Sequence, residues 1–380
     1  MTTDGERRRA YAAAGVDVGA GARTVELIRA AVESTRRPEQ LGALGGFGAA
    51  IRVPDGYRDP VLVGATDGVG TKTQIARAMR RYDTIGLDLV AMCADDVLCS
   101  GAAPFFFLDY IAVGELVPED VRALVEGIAA GCRIAGCALV GGETAEHPGL
   151  MAAGEFDLAG FCVGVVERDR LIDGSAVREG DAIVGLYSSG IHANGYTLVR
   201  AAITDFDLDL ERPYQEQLRR SLGEPGGIEA MADEPGYRLA TLGEVLLRPT
   251  IIYTPAVLAL RDVLRAAGHD IGAIAHITGG GLPGNVPRAL PSGLGARVDP
   301  GRWRMPSVMR LVAALAGMED DEVRATFNAG IGLILVMPAQ AVRLAIPELS
   351  NHGVAAVRIG EVVPEERLGG RRYVEAPLDD

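Results

Sequence analysis

The stretch P-V-L-V-G-A-T-D-G-V-G-T-K, at residues 60–72, carries the pattern from which the fold can be worked out. An apolar run of strand length leads into a loop that is acidic and rich in glycine. Glycine permits the tight turns and the close approach of backbone to a ligand that such a loop needs. We therefore predict a strand that ends at the loop carrying Asp67.

The same alternation of elements continues through the first half of the chain. Helices are predicted at residues 22–37, 83–101 and 118–135, and strands at residues 105–113, 138–146 and 156–167. The helices rest on apolar residues at helical spacing, and the strands on short apolar runs bounded by glycine or polar residues. This alternation favours an α/β or α+β domain.

A second module starts near Leu171. It again places glycine-rich loops after apolar strands, as in G-D-A-I-V-G-L-Y followed by S-S-G-I-H-A-N-G at residues 180–195. Residues 205–240 lose clear periodicity and carry Pro and Gly, so we expect an insertion or a mobile excursion there. We predict two domains, an N-terminal domain at 1–170 and a C-terminal α/β domain at 171–380.

Composition narrows the class of protein. Of the 380 residues, 48% are hydrophobic and 23% are charged, as in ordinary soluble globular proteins. The net charge of −14 argues against a nucleic-acid partner, because nucleic-acid binders present a basic face to phosphates. No apolar run reaches the ~18 residues of a membrane span, no signal peptide is visible, and no C-x-x-C pair is present. We expect a cytoplasmic protein.

Acidic side chains near strand ends and glycines are candidate metal ligands. Asp67, the pair Asp95–Asp96 and Glu143 fit this description. Mg²⁺ takes hard oxygen ligands and commonly shares them between one or two carboxylates and substrate phosphates. Lys72, in the loop after Asp67, is a candidate to neutralise phosphate charge. Each acid alone is also typical of a solvated loop or a helix cap, and Lys72 of a surface lysine.

Two glycine motifs resemble better-known phosphate-binding loops without matching them fully. G-V-G-T-K-T is not a Walker loop, because that pattern requires Gly directly before Lys and Thr71 stands there. G-G-G-L-P-G at 279–284 matches G-x-G-x-x-G, and Asp299 follows at the spacing of a dinucleotide-binding motif. Pro283 and the short stretch that follows suit a long crossover helix poorly. We prefer a glycine loop that leads into a helix N-terminus and holds a phosphate there.

Two histidines lie beside loops suited to anions. His192 is in S-S-G-I-H-A-N-G, and His276 precedes T-G-G-G. Either is a candidate substrate contact or proton donor, although a lone histidine is more often structural. No histidine pair has the H-E-x-x-H spacing of zinc hydrolases, and S-S-G is not the G-x-S-x-G elbow of serine hydrolases. The residues alone therefore predict loops suited to Mg²⁺ and phosphates.

Ordered blocks along nearly the whole chain resemble one enzyme family. They are A-G-V-D-V-G-A-G (14–21), T-R-R-P-E-Q-L-G-A-L-G-G-F-G-A (35–49), T-D-G-V-G-T-K (66–72), L-V-G-G-E-T-A-E (139–146), S-S-G-I-H-A-N-G (188–195), A-H-I-T-G-G-G (275–281) and T-F-N-A-G-I-G (326–332). The chain resembles the phosphoribosylformylglycinamidine cyclo-ligases, or aminoimidazole ribonucleotide synthetases, of the PurM family.

The resemblance implies a fold and a reaction. The implied fold has two domains, and the N-terminal domain forms a homodimer by joining its strands to its partner's in a shared β-barrel. The implied small-molecule substrate is formylglycinamidine ribonucleotide, which with ATP and Mg²⁺ gives aminoimidazole ribonucleotide, ADP and phosphate. Phosphorylation of the formyl oxygen makes it a good leaving group, and the amidine nitrogen then closes the ring.

The resemblance also assigns residues. Asp67, Asp96 and Glu143 are the implied ligands of Mg²⁺ and ATP. Lys72, His192 and His276 are the implied catalytic candidates, for phosphate contact, substrate contact or proton transfer. The implied ATP- and substrate-binding glycines are Gly68, Gly70, Gly279, Gly280 and Gly281.

The chain departs from the family pattern at some positions. Arg29 stands where Lys is frequent, which keeps the charge but makes proton transfer there doubtful, because Arg does not readily lose a proton. Asp95 stands where Asn is expected, and His147 where Met is usual.

Alternative hypotheses for the function come from the same superfamily and from another class of protein. A selenophosphate synthetase would carry a reactive Cys or Sec in its N-terminal glycine loop, whereas no Cys precedes Cys93. A hydrogenase maturation protein would end in Cys, and a thiamine-phosphate kinase would lack the block at 35–49. The alternative from another class is a non-catalytic ATP-binding protein on the same fold.

Overall fold

The computed structural model describes residues 18–42 and 45–378 of the chain. Three short stretches lie outside the described residues. They include residues 14–17 of the first family-like block, residues 43–44 of the glycine loop, and residues 379–380.

The described chain folds into two compact units. One lies within Met1–Val97 and Ala103–Glu167, and the other within Leu98–Ala102 and Arg168–Asp380. No helix in the part of the chain that the structure describes is long and apolar enough to cross a membrane.

The first unit is built on a four-stranded sheet. Its elements are α1 (Val18–Glu33), β1 (Gln40–Leu41), β2 (Ala50–Ile51), β3 (Pro60–Gly68), α2 (Thr73–Met79), α3 (Ile85–Cys99), β4 (Ala103–Val113), α4 (Pro118–Ala135), β5 (Ala138–Glu146) and β6 (Phe156–Glu167). The strand order is β3-β6-β4-β5, with β4 and β5 parallel and the other two pairs antiparallel. The predicted alternation of strands and helices is confirmed here, although the first helix ends at Glu33 and not at residue 37 as predicted.

Helix α4 shows how local chemistry fixes an element. Pro118 stands at its first turn, where a missing N–H costs nothing, and Glu119 and Asp120 place negative charge at the positive end of the helix dipole. Arg133 lies in the last turn, and Gly136 ends the helix in the left-handed conformation at φ 77°. These signals are visible in the sequence, and the helix bounds coincide with the predicted 118–135.

Helix α3 covers one face of the sheet and leaves the other open. A Cβ at Gly160 of β6 would lie 3.0 Å from Cys93 Sγ of α3, so this helix packs directly on the strand. On the opposite face, Leu62, Tyr110 and Phe161 are 55%, 41% and 42% exposed. We call this second surface, defined by these three side chains, the open sheet face.

The second unit is built on a six-stranded sheet. Its elements are β7 (Ala182–Tyr187), α5 (Tyr196–Asp205), α6 (Tyr214–Asp233), α7 (Leu242–Leu246), α8 (Thr254–Ala266), β8 (Ala273–His276), α9 (Gly281–Ala289), β9 (Leu294–Val298), α10 (Ser307–Ala316), α11 (Asp320–Thr326), β10 (Ile331–Met337), α12 (Val342–Asn351), β11 (Ala356–Pro364) and β12 (Tyr373–Glu375). The order is β12-β9-β11-β7-β10-β8, and only β12 and β9 are parallel.

Both faces of this sheet are buried. Leu333 and Leu335 of β10 point into a core shared with α8 and α12. Ile334 and Val336 point into a second core, shared with α9 and Trp303. A strand that is covered on both faces carries apolar side chains on both, which explains the uninterrupted apolar run of β10. The expectation of a two-domain α/β (α+β) fold is confirmed.

The segment 205–240 is more ordered than its sequence pattern indicates. We expected an insertion or a mobile excursion there, and α6 occupies much of it. The helical pattern is disguised because the helix is kinked, with Gly223 at φ 76° and Pro225 inside the element. The absence of periodicity therefore marked a kink and not an absence of regular structure.

Packing of α3 against α4 depends on glycine, and this gives a stability prediction. A Cβ at Gly86 would lie 2.3 Å from the Ile128 backbone nitrogen, so Gly86→Ala must force the helices apart. We expect it to lower the free energy of unfolding by about 3 kcal/mol, measured by urea denaturation.

Gly21→Ala is the matched control, because Gly21 lies in α1 and a Cβ there would meet no other atom within 4 Å. It should be neutral or stabilise by up to ~1 kcal/mol, since Ala is the better helix former. Equal effects of the two substitutions would show that close helix approach is not what Gly86 provides.

Candidate functional site

The first unit presents Asp67 at the end of β3, as predicted. Asp67 pairs with Gly160 of β6 in the antiparallel ladder, in the row that faces α3. Its Oδ1 accepts a hydrogen bond from the Gly68 N–H at 2.7 Å. Its main-chain oxygen accepts from the Cys93 thiol at 3.8 Å. The strand end is thereby joined to α3.

Asp96 comes to the same place from α3. It follows Cys93 by about one helical turn, so both side chains project from neighbouring positions on the helix. Burial, together with the charges of Asp67 and Asp96, raises the pKa of the Cys93 thiol to about 12. The strand end that carries Asp67 is therefore bonded to α3 one helical turn before Asp96, through a thiol that stays protonated and does not act as a nucleophile.

Glu143 lies elsewhere in the first unit. It pairs with Tyr110, whereas the neighbouring pair of the same ladder, Asp109 and Gly142, stands in the row of Asp67. Since side chains alternate between the faces of a sheet, Glu143 belongs to the open sheet face. Within the described residues, no group of three or more His, Cys, Asp or Glu side chains is arranged to hold a metal ion.

Lys72 is entirely buried and forms an ion pair. Its Nζ lies 2.9 Å from both Oδ1 and Oδ2 of Asp88, and both side chains have 0% exposure. Burial lowers the pKa of Lys72, while the Asp88 charge opposes that shift. The alternative of a surface lysine is wrong, because the turn at Gly70–Lys72 carries the side chain inward against α3. The sequence signal for its partner was a single acid in the first turn of α3, directly before the apolar run at residues 89–94.

Asp109 is an acid of this unit that the sequence analysis did not single out. It stands in the middle of the apolar strand β4, between Gly160 and Gly142 in the sheet. A Cβ at Gly142 would lie 1.6 Å from Asp109 Oδ1, so the carboxylate occupies the space that the glycine leaves. Burial raises the pKa of Asp109 to about 7. A lone acid inside F-F-F-L-D-Y-I-A-V was the available signal.

In the second unit, three glycine-rich loops meet where β7 and β8 end and β10 begins. They are residues 188–195 after β7, residues 277–281 after β8, and residues 327–330 before β10. Because β10 runs antiparallel to both neighbours, its start lies beside the ends of β7 and β8. Topology alone thus gathers blocks that are far apart in the sequence.

Asn328 holds two of these loops together. Its Nδ2 donates to the carbonyl oxygens of Gly190 at 2.9 Å and Ile191 at 3.1 Å. Its Oδ1 accepts from the Gly330 N–H at 2.8 Å and from the Ser188 hydroxyl at 3.1 Å. A buried amide that uses both ends in this way fixes the loops rigidly, because losing it would leave several polar groups unsatisfied.

Gly279, Gly280 and Gly281 lead into the N-terminus of α9. Gly281 adopts φ 58°, and a Cβ there would lie 1.9 Å from the Arg324 oxygen, so only glycine fits. Asn285 Nδ2 donates to the oxygens of Gly279 and Gly281 and stiffens the turn. The dinucleotide-binding alternative is wrong, because β8 pairs with an antiparallel neighbour and does not begin a parallel βαβ unit.

His192 is buried and held in an unusual conformation. Its φ of 67° is left-handed, and its Nε2 accepts from the Ser189 N–H at 3.1 Å. With Nε2 used as an acceptor, the neutral ring carries its proton on Nδ1. A Cβ at Gly332 would lie 2.5 Å from His192 Cε1, so the ring lies against the start of β10. His276, also buried, pairs with Leu333 of the same strand. The two predicted histidines therefore flank one strand.

Family models match most of the chain. The model described as AIR synthase related protein, N-terminal domain, matches residues 48–166, and the corresponding C-terminal domain model matches residues 178–372.

Curated relatives match over nearly the full length. A phosphoribosylformylglycinamidine cyclo-ligase from Gloeobacter violaceus is 51% identical over 93% of this chain and 97% of its own. Proteins of the same name from Desulfitobacterium hafniense and Sorangium cellulosum are 48% and 47% identical, covering 96% and 95% of their own lengths. The resemblance noted in the sequence is confirmed.

Solved structures share the fold at low identity. E. coli HypE, a hydrogenase maturation protein, matches with a TM-score of 0.60 and 19% identity over 93% of this chain and 94% of its own. A thiamine-monophosphate kinase from Stenotrophomonas maltophilia matches with a TM-score of 0.56 and 17% identity over 93% and 95%. These two rivals therefore share the architecture, while the sequence relationship points to the cyclo-ligases.

The buried ion pair gives a prediction that separates a structural from a phosphate-binding role of Lys72. Lys72→Met leaves the Asp88 carboxylate buried without its cation and should lower the free energy of unfolding by about 3–5 kcal/mol. The double variant Lys72→Met, Asp88→Leu should recover most of this loss in urea denaturation. Wild-type stability of the single variant would contradict a structural role for the pair.

Proposed function

The chain belongs to the family of phosphoribosylformylglycinamidine cyclo-ligases, ATP-using ligases of purine synthesis, and we propose how its residues divide the work. The first unit holds ATP through Asp67 and Asp96. The loops of the second unit hold formylglycinamidine ribonucleotide. The observation that supports the first assignment is the bond from the Cys93 thiol to the main-chain oxygen of Asp67, one helical turn before Asp96.

The chemistry requires positioning more than a protein nucleophile. Phosphoryl transfer to the formyl oxygen depends on alignment and on neutralisation of charge, and ring closure depends on a held near-attack geometry. The amidine nitrogen of the substrate is itself the nucleophile that closes the ring. The protonated, buried thiol of Cys93 is consistent with this division of roles.

We assign Mg²⁺ to Asp67 and Asp96. Carboxylate oxygens suit this hard cation, which commonly takes one or two of them together with phosphate oxygens and water. A bound Mg²⁺ would neutralise charge on the ATP phosphates. A two-carboxylate site completed by ATP is compatible with the absence of a preformed three-acid cluster among the described residues. Gly68 and Gly70 beside Asp67 would allow the nucleotide to approach the backbone.

Lys72 contributes through its ion pair in this proposal. Contact with a phosphate would require its ammonium to leave Asp88. The Asp88 carboxylate would then stay buried without its cation, which costs on the order of several kcal/mol. With the pair intact, Lys72 holds the loop after Asp67 against α3, which carries Asp96. Mg²⁺, and not Lys72, would then neutralise the negative charge of the phosphates.

For the substrate, we propose a binding site at the three glycine-rich loops of the second unit, residues 188–195, 277–281 and 327–330. Gly279, Gly280 and Gly281 stand at the N-terminus of α9, where the positive end of the helix dipole favours a phosphate. His192 and His276, which flank β10, are the candidates for substrate contact or proton transfer. With Nε2 committed to Ser189, His192 would act through Nδ1.

We further propose a homodimer formed through the open sheet face. Leu62, Tyr110 and Phe161 present apolar surface there, and burial of such surface is the main driving force for association. Glu143 lies on the same face, so its role in ATP binding would depend on the partner subunit. A cytoplasmic enzyme without a nucleic-acid partner fits the acidic composition.

The activity itself is tested by incubating the protein with formylglycinamidine ribonucleotide, ATP and Mg²⁺ and measuring aminoimidazole ribonucleotide. Asp67→Asn should lower kcat/KM by at least ~10-fold and raise the Mg²⁺ concentration needed for half-maximal rate, because a metal ligand loses its charge. Glu126→Gln, an exposed acid on α4, is the control and should leave both unchanged. ADP formation without the imidazole product would contradict the ring-closing assignment.

The dimer is tested by sedimentation velocity. Leu62→Asp with Phe161→Asp places two charges on the open sheet face and should yield monomers, because burying unpaired charge opposes association. Ile134→Asp, at an exposed apolar position of α4, should leave the dimer intact. A wild-type protein that sediments as a monomer at micromolar concentration would contradict the proposal.

A further inference from the structure

The excursion at residues 206–241, which links α5 to α7, is closed at its base. On its way out and back, the chain makes backbone hydrogen bonds from Leu242 N–H to Arg212 oxygen at 3.0 Å and from Gly243 N–H to Leu210 oxygen at 2.8 Å. Thr241 adds a capping box with Glu244 at the start of α7. The excursion therefore returns to a fixed point on the second unit.

Its interior is anchored by packed side chains. Tyr214 has 0% exposure and meets the ring of Tyr237 edge-on, at 5.9 Å between centroids and 86° between planes. Glu234 accepts from the Ser307 N–H of α10 at 2.9 Å. Tyr237 thus packs on Tyr214 within the excursion, and Glu234 joins the excursion to α10 close by.

From this position, Tyr237 reaches the loop that carries His192. Its hydroxyl donates to the Ser189 carbonyl oxygen at 3.0 Å. The Arg248 guanidinium donates to the same hydroxyl and lies 4.8 Å from the ring centroid. Because Arg only donates, the single phenolic hydrogen is left for Ser189. Burial raises the pKa of Tyr237, so this hydrogen is retained.

Ser189 is consequently fixed on three sides. Tyr237 holds its carbonyl oxygen, its hydroxyl donates to the Pro249 oxygen at 2.6 Å, and its N–H donates to His192 Nε2. His192 has a left-handed φ of 67°, a conformation that is unfavourable for a residue with a side chain and persists only where neighbours enforce it. The contacts of Ser189 are among those neighbours.

We propose that Tyr237 is a positioning residue for the cyclo-ligase reaction. Through Ser189, it fixes the orientation and the Nδ1–H tautomer of His192. The excursion at 206–241 thereby acts as a brace for the substrate loop, a role that rests on the proposed placement of substrate at that loop.

The test is Tyr237→Phe, which keeps the ring and removes the hydroxyl. We expect kcat for ring closure to fall about 10-fold, since small misplacements of a reacting group are costly, while KM for ATP changes by less than ~2-fold. Hydrogen–deuterium exchange of the peptide spanning residues 188–192 should become at least ~10-fold faster, because its local opening becomes easier. A purely structural role would not separate kcat from KM in this way.

Two controls define the outcome. Tyr214→Phe removes the hydroxyl of the neighbouring ring, and Leu239→Ala changes a residue of the excursion that is 97% exposed; both should leave kcat and exchange at 188–192 unchanged. Unchanged exchange at 188–192 in Tyr237→Phe overturns the positioning role. Faster exchange in a protein whose wild type fails to close the ring would support the brace and refute the proposed function instead.

Discussion

The buried ion pair of Lys72 and Asp88 is the constraint on which the first unit depends. Two charges with no exposure are expensive to remove from water, and their mutual attraction offsets that cost only in good geometry. The pair forms between the loop after Asp67 and the helix that carries Asp96. It thus fixes, through one short contact, the relative position of the two carboxylates assigned to Mg²⁺.

Much of this unit was predictable because its signals are local. The bounds of α4 follow from Pro118 and Gly136, and the position of Asp67 follows from an apolar run that meets glycine. The role of Lys72 was not predictable, because the direction of a side chain leaving a short turn depends on packing with a distant helix. The face occupied by Glu143 was also hidden, since it depends on strand register, and a shift of one residue reverses the face.

In the second unit, the sequence identified the loops but not what joins them. His192, His276 and the three glycines were chosen from loop composition, and the antiparallel placement of β10 explains why they meet. Asn328 was passed over because a single amide within T-F-N-A-G-I-G carries no distinctive signal. The same holds for Tyr237, whose segment lost its helical pattern to Gly223 and Pro225. Contacts across long sequence separations are what single-sequence reasoning lacks.

The closed base of the excursion at 206–241 has a consequence for divergence within the family. Because the chain leaves and re-enters the second unit at hydrogen-bonded neighbours, residues between these points can be gained or lost without moving a strand of the sheet. Loop-closure entropy grows only slowly with length, so such changes are tolerated thermodynamically. The excursion is therefore a place where related enzymes can differ in length while the glycine-rich loops of the second unit stay in register, provided that each lineage retains some group to hold the Ser189 carbonyl.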